Sequence, residues 1–203
     1  MLPDVEQTQP LQDSQELFML SSRKVRASMK ANYHFYETQD CSGDYCGKIR
    51  NTTGKQFVTY DGGAKEGADA GAEAARKEIG ASYFDAEDNL NMVHLLSWQP
   101  GHSSEPGKPG LHELHDSGRS GEVLHMCNKK PQWNDEVGMW SLAFEGEGRV
   151  VLASAKNFVL HDPADGQVYM QFGKQDANSF TLDFRYPMTP FLAFAHAMSF
   201  FEL

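Results

Sequence analysis

The sequence predicts a mainly β protein, a closed antiparallel β-barrel with a hydrophobic C-terminal α-helix through its middle. Three observations carry this. After Pro190, the run to Phe201 holds only two polar residues, His196 and Ser199, so no side of that helix suits water. It falls well short of the ~20 apolar residues that span a bilayer, which leaves the centre of a core. The segments before it alternate. Val168, Met170 and Phe172 are interleaved with Tyr169 and Gln171, and Phe180, Leu182, Phe184 and Tyr186 with Thr181, Asp183 and Arg185. That is the period of strands with one wet face. Turn residues at 162–166 and 173–178 join them into a meander. A meander whose dry face surrounds a helix is most easily a barrel, and closure removes exposed edges.

The totals bound the rest. A chain of 203 residues suits one domain with a sizeable core. A net charge of -10 argues against a protein that coats nucleic acid with its whole surface, and makes any local basic patch conspicuous. No apolar run follows a basic start, so neither a signal peptide nor a membrane span is read. The cysteines, Cys41, Cys46 and Cys127, are odd in number, which favours reduced thiols in the cytosol. Cys41 and Cys46 lack a second pair to complete a zinc site.

In chain order, residues 1–15 are polar, with Pro3 and Pro10, and form a tail; the domain occupies 16–203. Leu17 to Leu20 has the composition of a buried strand, and strand-like composition resumes at 31–36. Lys48, Ile49 and Arg50 make a short strand, and Phe57 to Tyr60 another that ends at Asp61-Gly62-Gly63. Residues 64–75 are nearly all Ala, Gly and acid, an insertion or weak helix that no core needs. A strand is expected over 77–84. Residues 90–98 suit strand or short helix equally. Residues 99–110, rich in Pro and Gly, are a surface loop, and 121–127 one more strand. Trp140, Leu142 and Phe144 alternate with small or polar residues, and 149–160 is long enough for a bent strand or a pair.

The strongest functional signal is basic. Arg23, Lys24, Arg26 and Lys30 fall within eight residues. Lys24 and Arg26 are two apart, so on one strand they share a face, and Lys48 and Arg50 repeat that spacing. Two adjacent strands would then present cations able to bind clustered phosphates, Arg bidentately and Lys as a point charge. The plain alternative is a solvated loop with ordinary surface charge. His112, Glu113, His115 and Asp116, with His125 and Cys127 downstream, are metal-ligand types, but they miss the HExxH register and read as a polar loop. His196 is expected to be buried and hydrogen-bonded. No phosphate loop, nucleophile elbow or paired-carboxylate motif appears, so the chain is read as no enzyme, without cofactor, metal or catalytic residue.

Several stretches are specific enough to resemble a known family. They are Asn128-Lys129-Lys130-Pro131-Gln132-Trp133-Asn134-Asp135, Trp140-Ser141-Leu142-Ala143-Phe144 with Gly148-Arg149-Val150, and Ala153-Ser154-Ala155-Lys156-Asn157-Phe158. Gln171-Phe172-Gly173, Phe180-Thr181-Leu182-Asp183-Phe184-Arg185-Tyr186-Pro187 and the closing helix belong with them. Upstream stand Arg23-Lys24 leading to Asn32-Tyr33, then Gly47-Lys48-Ile49-Arg50 and Lys55-Gln56-Phe57-Val58-Thr59-Tyr60-Asp61. Together they resemble the C-terminal domain of the tubby family, over roughly residues 17–201. The resemblance implies the same barrel with the helix through it. It also implies binding of phosphoinositides, chiefly phosphatidylinositol 4,5-bisphosphate, through the two basic segments.

Carried onto this chain, the best-matching site residues are Lys24, Arg26 and Arg50, with Arg23 and Lys48 in the same motifs. Two departures follow from the resemblance. The family's domain begins with further strands upstream, one of which helps form the lipid site, and the family's chain runs a little past Glu202-Leu203. The implied role is a membrane tether or trafficking adaptor, cytoplasmic and peripheral at the plasma membrane, with nucleus or cilium also open. Its partners would be phosphoinositide headgroups and membrane-protein cargo. The alternative is a nucleic-acid-associated transcription regulator. A small patch on an acidic body would bind a duplex weakly and with strong salt sensitivity, which disfavours nucleic acid.

Overall fold

Thr189 starts the last helix. Its hydroxyl accepts the Leu192 N–H at 3.1 Å, and Pro190 occupies the first turn, where a missing N–H costs nothing. The computed structural model describes residues 17–25, 32–63, 75–87, 90–119 and 121–202. Among them are twelve strands: β1 (Ser21–Lys24), β2 (Asn32–Tyr36), β3 (Gly47–Asn51), β4 (Gln56–Asp61), β5 (Glu78–Glu87), β6 (Leu90–Trp98), β7 (Val123–Asn128), β8 (Gln132–Asn134), β9 (Met139–Ser141), β10 (Phe158–His161), β11 (Val168–Lys174) and β12 (Phe180–Phe184). The helices are α1 (Leu111–Asp116) and α2 (Pro190–Phe200).

Ten strands form one sheet in the order β1-β2-β3-β4-β5-β6-β7-β10-β11-β12, and every neighbouring pair is antiparallel. The sheet curls round α2. Phe35 of β2 meets Phe191 and Phe194 edge-on, Phe84 of β5 and Phe158 of β10 meet Phe200, and Phe180 of β12 meets Phe201. Two strand glycines admit the helix. A Cβ on Gly47 would stand 2.3 Å from the Phe191 ring, and one on Gly80 the same distance from Leu192 Cδ1. The helix core, Ala193, Ala195 and His196, is almost wholly inaccessible.

The expected closure is not seen among the described residues. β1 and β12 are the two ends of the sheet, and among the described residues no ladder joins them. The helix registers this opening. Phe191, Phe194 and Met198 are only half-buried and Phe201 is exposed, at spacings of three, four and three that put them on one side. His196 is buried as expected, but both of its ring nitrogens lack a hydrogen-bond partner among the described residues.

Other expectations shift with the pairing. Leu17, Phe18 and Met19 are exposed rather than in a strand, because at a sheet edge the pairing with β2, not apolar content, decides where β1 begins. Residues 90–98 are strand β6, paired on both sides. The alternation at 140–144 yields only β9, in a separate hairpin with β8 where Trp133 and Trp140 meet edge-to-face in solvent. Of 149–160 only β10 is strand. The preceding turn is held by Arg149, whose Nε donates to Asp183 Oδ2 at 2.8 Å. The polar loop at 112–116 is instead α1, six residues long. Its Leu111 and Leu114 cover Ala81, Leu96 and Val123 on the outside of the sheet. Of the insertion at 64–75, residues 64–74 lie outside the described residues.

Candidate functional site

Strand register sorts the basic residues by face. Arg23 pairs with His34, His34 with Lys48, and Lys48 with Tyr60, so these four share a row. The next row, Lys24, Tyr33, Ile49 and Thr59, points the other way, and its Tyr33, Ile49 and Thr59 are buried against the core. Arg23, Lys48 and Arg50 are therefore on the outer face, and Lys24 is on the inner one at the strand's end. Arg26 and Lys30 lie outside the described residues.

On the outer face the cations stand among aromatic rings. The Arg23 guanidinium lies 5.7 Å from the Tyr36 ring centre and donates to the Asp40 carbonyl at 2.9 Å. Lys48 Nζ lies 5.6 Å from the Tyr60 ring. His34 stacks on Tyr45 with centroids 4.3 Å apart, and Arg76 donates to the Tyr45 hydroxyl at 2.6 Å. Burial first, and then the charges of Lys48 and Arg76, hold His34 below the ordinary histidine range. The two cations so close to His34 make this spot locally positive on a chain whose total charge is strongly negative. Arg50 is exposed one pleat further along β3, opposite Asn32 and Val58.

Arg76 belongs with this group, and reading the sequence missed it. It follows the Ala/Gly/acid insertion, 26 positions beyond Arg50. Only the pairing of Tyr60 with Glu78 of β5 brings that end of the chain beside β4.

Lys24 is differently placed. Its Nζ donates to both carboxylate oxygens of Glu202, at 2.7 and 2.9 Å, just past the C-terminus of α2. The Tyr33 hydroxyl donates to the same carboxylate. Burial pushes Glu202 upward, but the hydrogen bonds from Lys24 and Tyr33 and the charges of Lys24 and Lys156 outweigh it and hold the carboxyl below its usual range. Lys156 adds a bond to the Phe200 carbonyl at 3.0 Å, so two lysines gather at that end of the helix.

Among the described residues, no group of three or more His, Cys, Asp or Glu is arranged to hold a metal ion. No helix among them is long and apolar enough to cross a membrane.

A mainly antiparallel sheet wrapped on an apolar C-terminal helix, with cations gathered on its first strands, defines a β-domain with a cationic outer face. The comparisons give that class its family. The Tub family model matches residues 5–203, and this chain belongs to the Tub family. It is similar to Tubby protein homolog 1 of Caenorhabditis briggsae, with 34% identity over 210 residues that cover 92% of this chain and 49% of the relative. It is also similar to Protein king tubby of Drosophila pseudoobscura pseudoobscura, at 31% over 208 residues, and of Drosophila sechellia, at 33% over 208. Those matches cover 92% of this chain and 44% and 45% of the relatives. The chain thus spans about half the length of the curated relatives it matches.

Proposed function

We propose that residues 16–203 form one domain that binds phosphoinositide headgroups, phosphatidylinositol 4,5-bisphosphate above all. It would act as a peripheral membrane tether or trafficking adaptor rather than as an enzyme. The observation that carries this is the outer face on which Arg23, Lys48, Arg50 and Arg76 stand near Tyr36, Tyr45 and Tyr60, on a chain with ten excess negative charges. Guanidinium groups bind phosphate oxygens bidentately, and clustered cations suit a headgroup with neighbouring phosphates. Lys24 and Arg26 complete the proposed set, Lys24 by exchanging Glu202 for a phosphate. The same reading has the sheet close into a barrel when a strand bridges β1 and β12. It places the protein in the cytoplasm at the plasma membrane, with membrane-protein cargo as its second partner.

The test is co-sedimentation with liposomes matched in total charge, containing either the bisphosphate lipid or phosphatidylserine. Preference for the bisphosphate lipid, lost when Lys24 and Arg26 or Lys48 and Arg50 become Ala, supports the reading. A general surface attraction of about 1 kcal/mol per cation would show no headgroup preference, and equal binding to both liposomes refutes a specific site.

A further inference from the structure

Five of the chain's eight histidines lie together on the far outer face, away from the basic residues. Strand register places Tyr83, His94 and Cys127 in one row across β5, β6 and β7, with His161 opposite Cys127 on β10. His125 is two residues back on β7. The helix α1 brings His112 and His115 over them. The rings are in contact: Tyr83 and His94 are parallel at 4.3 Å, His94 and His125 stack at 5.1 Å, and His115 meets His125 edge-on at 4.7 Å.

The centre of this cluster is one hydrogen bond, His94 Nδ1 to His125 Nε2 at 2.9 Å. Such a bond needs one nitrogen with a proton and one without. A single added proton can be shared there, because His94 has the Asp85 carboxylate 3.5 Å from its Nε2 and the Tyr83 ring beneath it. A second proton would set two N–H groups head to head. Among the described residues, only Asp162 offsets that charge at His125. That ring faces His94, His115 and His161, with Asp162 the opposing anion, and burial first and then its histidine neighbours lower it to about 4.

The other groups round the cluster do not reverse this. Burial also lowers His112, whose Nε2 lies 3.3 Å from the Phe57 carbonyl. His161 Nδ1 is taken by the Cys127 carbonyl at 2.9 Å. On α1, Asp116 lies beside His115 and Glu113 faces Glu78. Glu78, which accepts the Leu111 N–H at 2.8 Å, is raised by burial, so its own protonation does not favour release. Besides that bond, the His112 contact with Phe57 and the ring contacts of His112 and His115 with Tyr83 and His125, α1 is held by Leu111 and Leu114 on Ala81, Leu96 and Val123, a small cluster separate from the main core.

We propose that α1 is an acid-released cover. Entry of a second proton into the His94–His125 pair lifts α1 from β5–β7 and bares Ala81, Leu96, Val123 and the Tyr83 ring, while the sheet and α2 stay folded. A group held neutral by the closed state takes up its proton on opening. The closed state is therefore fully stable above the ordinary histidine range and loses stability as pH falls below it.

Amide hydrogen exchange of the intact chain tests this, read as protection so that intrinsic rates cancel. The reporters are the α1 amides of Leu114, Ser117 and Gly118, bonded to the carbonyls of Gly110, Glu113 and His115. The opening constant should rise by up to about tenfold per pH unit below about pH 6 while the β10–β11 ladder keeps its protection. His125→Phe, a ring that cannot be protonated, should flatten that rise, leaving only the part that buried His112 contributes. Loss of α1 and β10–β11 protection together would mean global acid unfolding and overturn the proposal, as would acid opening in the variant equal to that of the native chain. Should the variant not fold, ring-nitrogen titration of the native protein decides. Two coupled steps, the second accompanied by α1 shift changes, support the cover; independent titrations that leave α1 unmoved overturn it.

Discussion

Lys24 and Glu202 are 178 residues apart in the chain and 2.7 Å apart in space. Their ion pair ties the end of edge strand β1 to the residue just beyond α2, and the Tyr33 hydroxyl secures the same carboxylate. Lys24 is also one of the residues proposed to take a phosphoinositide phosphate. An intramolecular carboxylate thus occupies a cation that the ligand would need.

Glu202→Gln should consequently tighten binding to bisphosphate liposomes. The Lys24 side chain is 52% exposed and Glu202 18%, so the pair is worth ~1 kcal/mol or less, and the gain is about fivefold at most. Co-sedimentation of variant and native protein on the same liposomes measures it. Unchanged or weaker binding would mean that Lys24 serves the fold and not the ligand.

Lys48 and Arg50 need no such exchange with Glu202. Each charge-assisted phosphate contact contributes about 1.5–3 kcal/mol, so replacing both with Ala should weaken binding on the order of a hundredfold or more. Melting temperature serves as the control, because both side chains point outward and their loss should leave stability nearly untouched. A double variant that binds like the native chain would place the site elsewhere.

His34 offers a spectroscopic reading of the same face. Burial and then the charges of Lys48 and Arg76 lower its pKa, so the free protein keeps it neutral. A bound polyphosphate beside Lys48 would offset those charges and raise the His34 pKa. By linkage the ligand should then bind more tightly as pH falls through the histidine range. Ring titration with and without the soluble inositol trisphosphate headgroup checks this; a pKa unmoved at saturation would put the phosphates out of reach of His34.

His196 governs acid stability from the inside. It is buried with neither ring nitrogen bonded, and desolvation lowers it to about 3. Its folded pKa lies below the unfolded value, so its neutral form is accommodated at neutral pH and stability is lost as pH falls from about 6.5 toward 3. His196→Leu should flatten that decline by about 2–4 kcal/mol at the acid end, since one pKa unit is about 1.4 kcal/mol. Thermal melts of both proteins at neutral pH and at about pH 4 would show it. Parallel declines would assign the acid sensitivity to other groups.

The helix supplies the last prediction. Leu192 is 3% exposed and rests against the backbone at Gly80, so Leu192→Ala should cost about 2–5 kcal/mol, a large part of a domain's stability. Phe194 is half-buried on the side of α2 that the sheet leaves open, though it still meets Phe35 at 5.6 Å. Phe194→Asp should accordingly cost less than a carboxylate at wholly buried Ala195. Denaturant melts that rank Phe194→Asp above Ala195→Asp in damage would contradict the open side.

Much of this fold was legible in the residues. The cap at Thr189, Pro190 in the first turn and the all-round apolar run fixed α2, because a helix without a polar face has nowhere to go but inside. The period-two runs at 168–172 and 180–184 became β11 and β12, since alternation is a local property of one dry and one wet face. Alternation failed where a strand had no partner. Residues 140–144 alternate as well, yet only β9 forms, because the sheet gives that segment no neighbour beyond β8.

The sequence by itself determined the mainly β class, the apolar helix at its centre, the family, and the presence of unusual positive charge on β1 and β3. It could not decide what those charges face. A shift of one residue in register turns a side chain from solvent to core, and register is set by pairing between distant strands. Only the tertiary structure put Lys24 on the inner row against Glu202 and gathered Arg23, Lys48 and Arg76 round Tyr36, Tyr45 and Tyr60. It alone left β1 and β12 unjoined among the described residues, because whether a curled sheet closes depends on the summed twist and stagger of all its strands, which no single segment encodes.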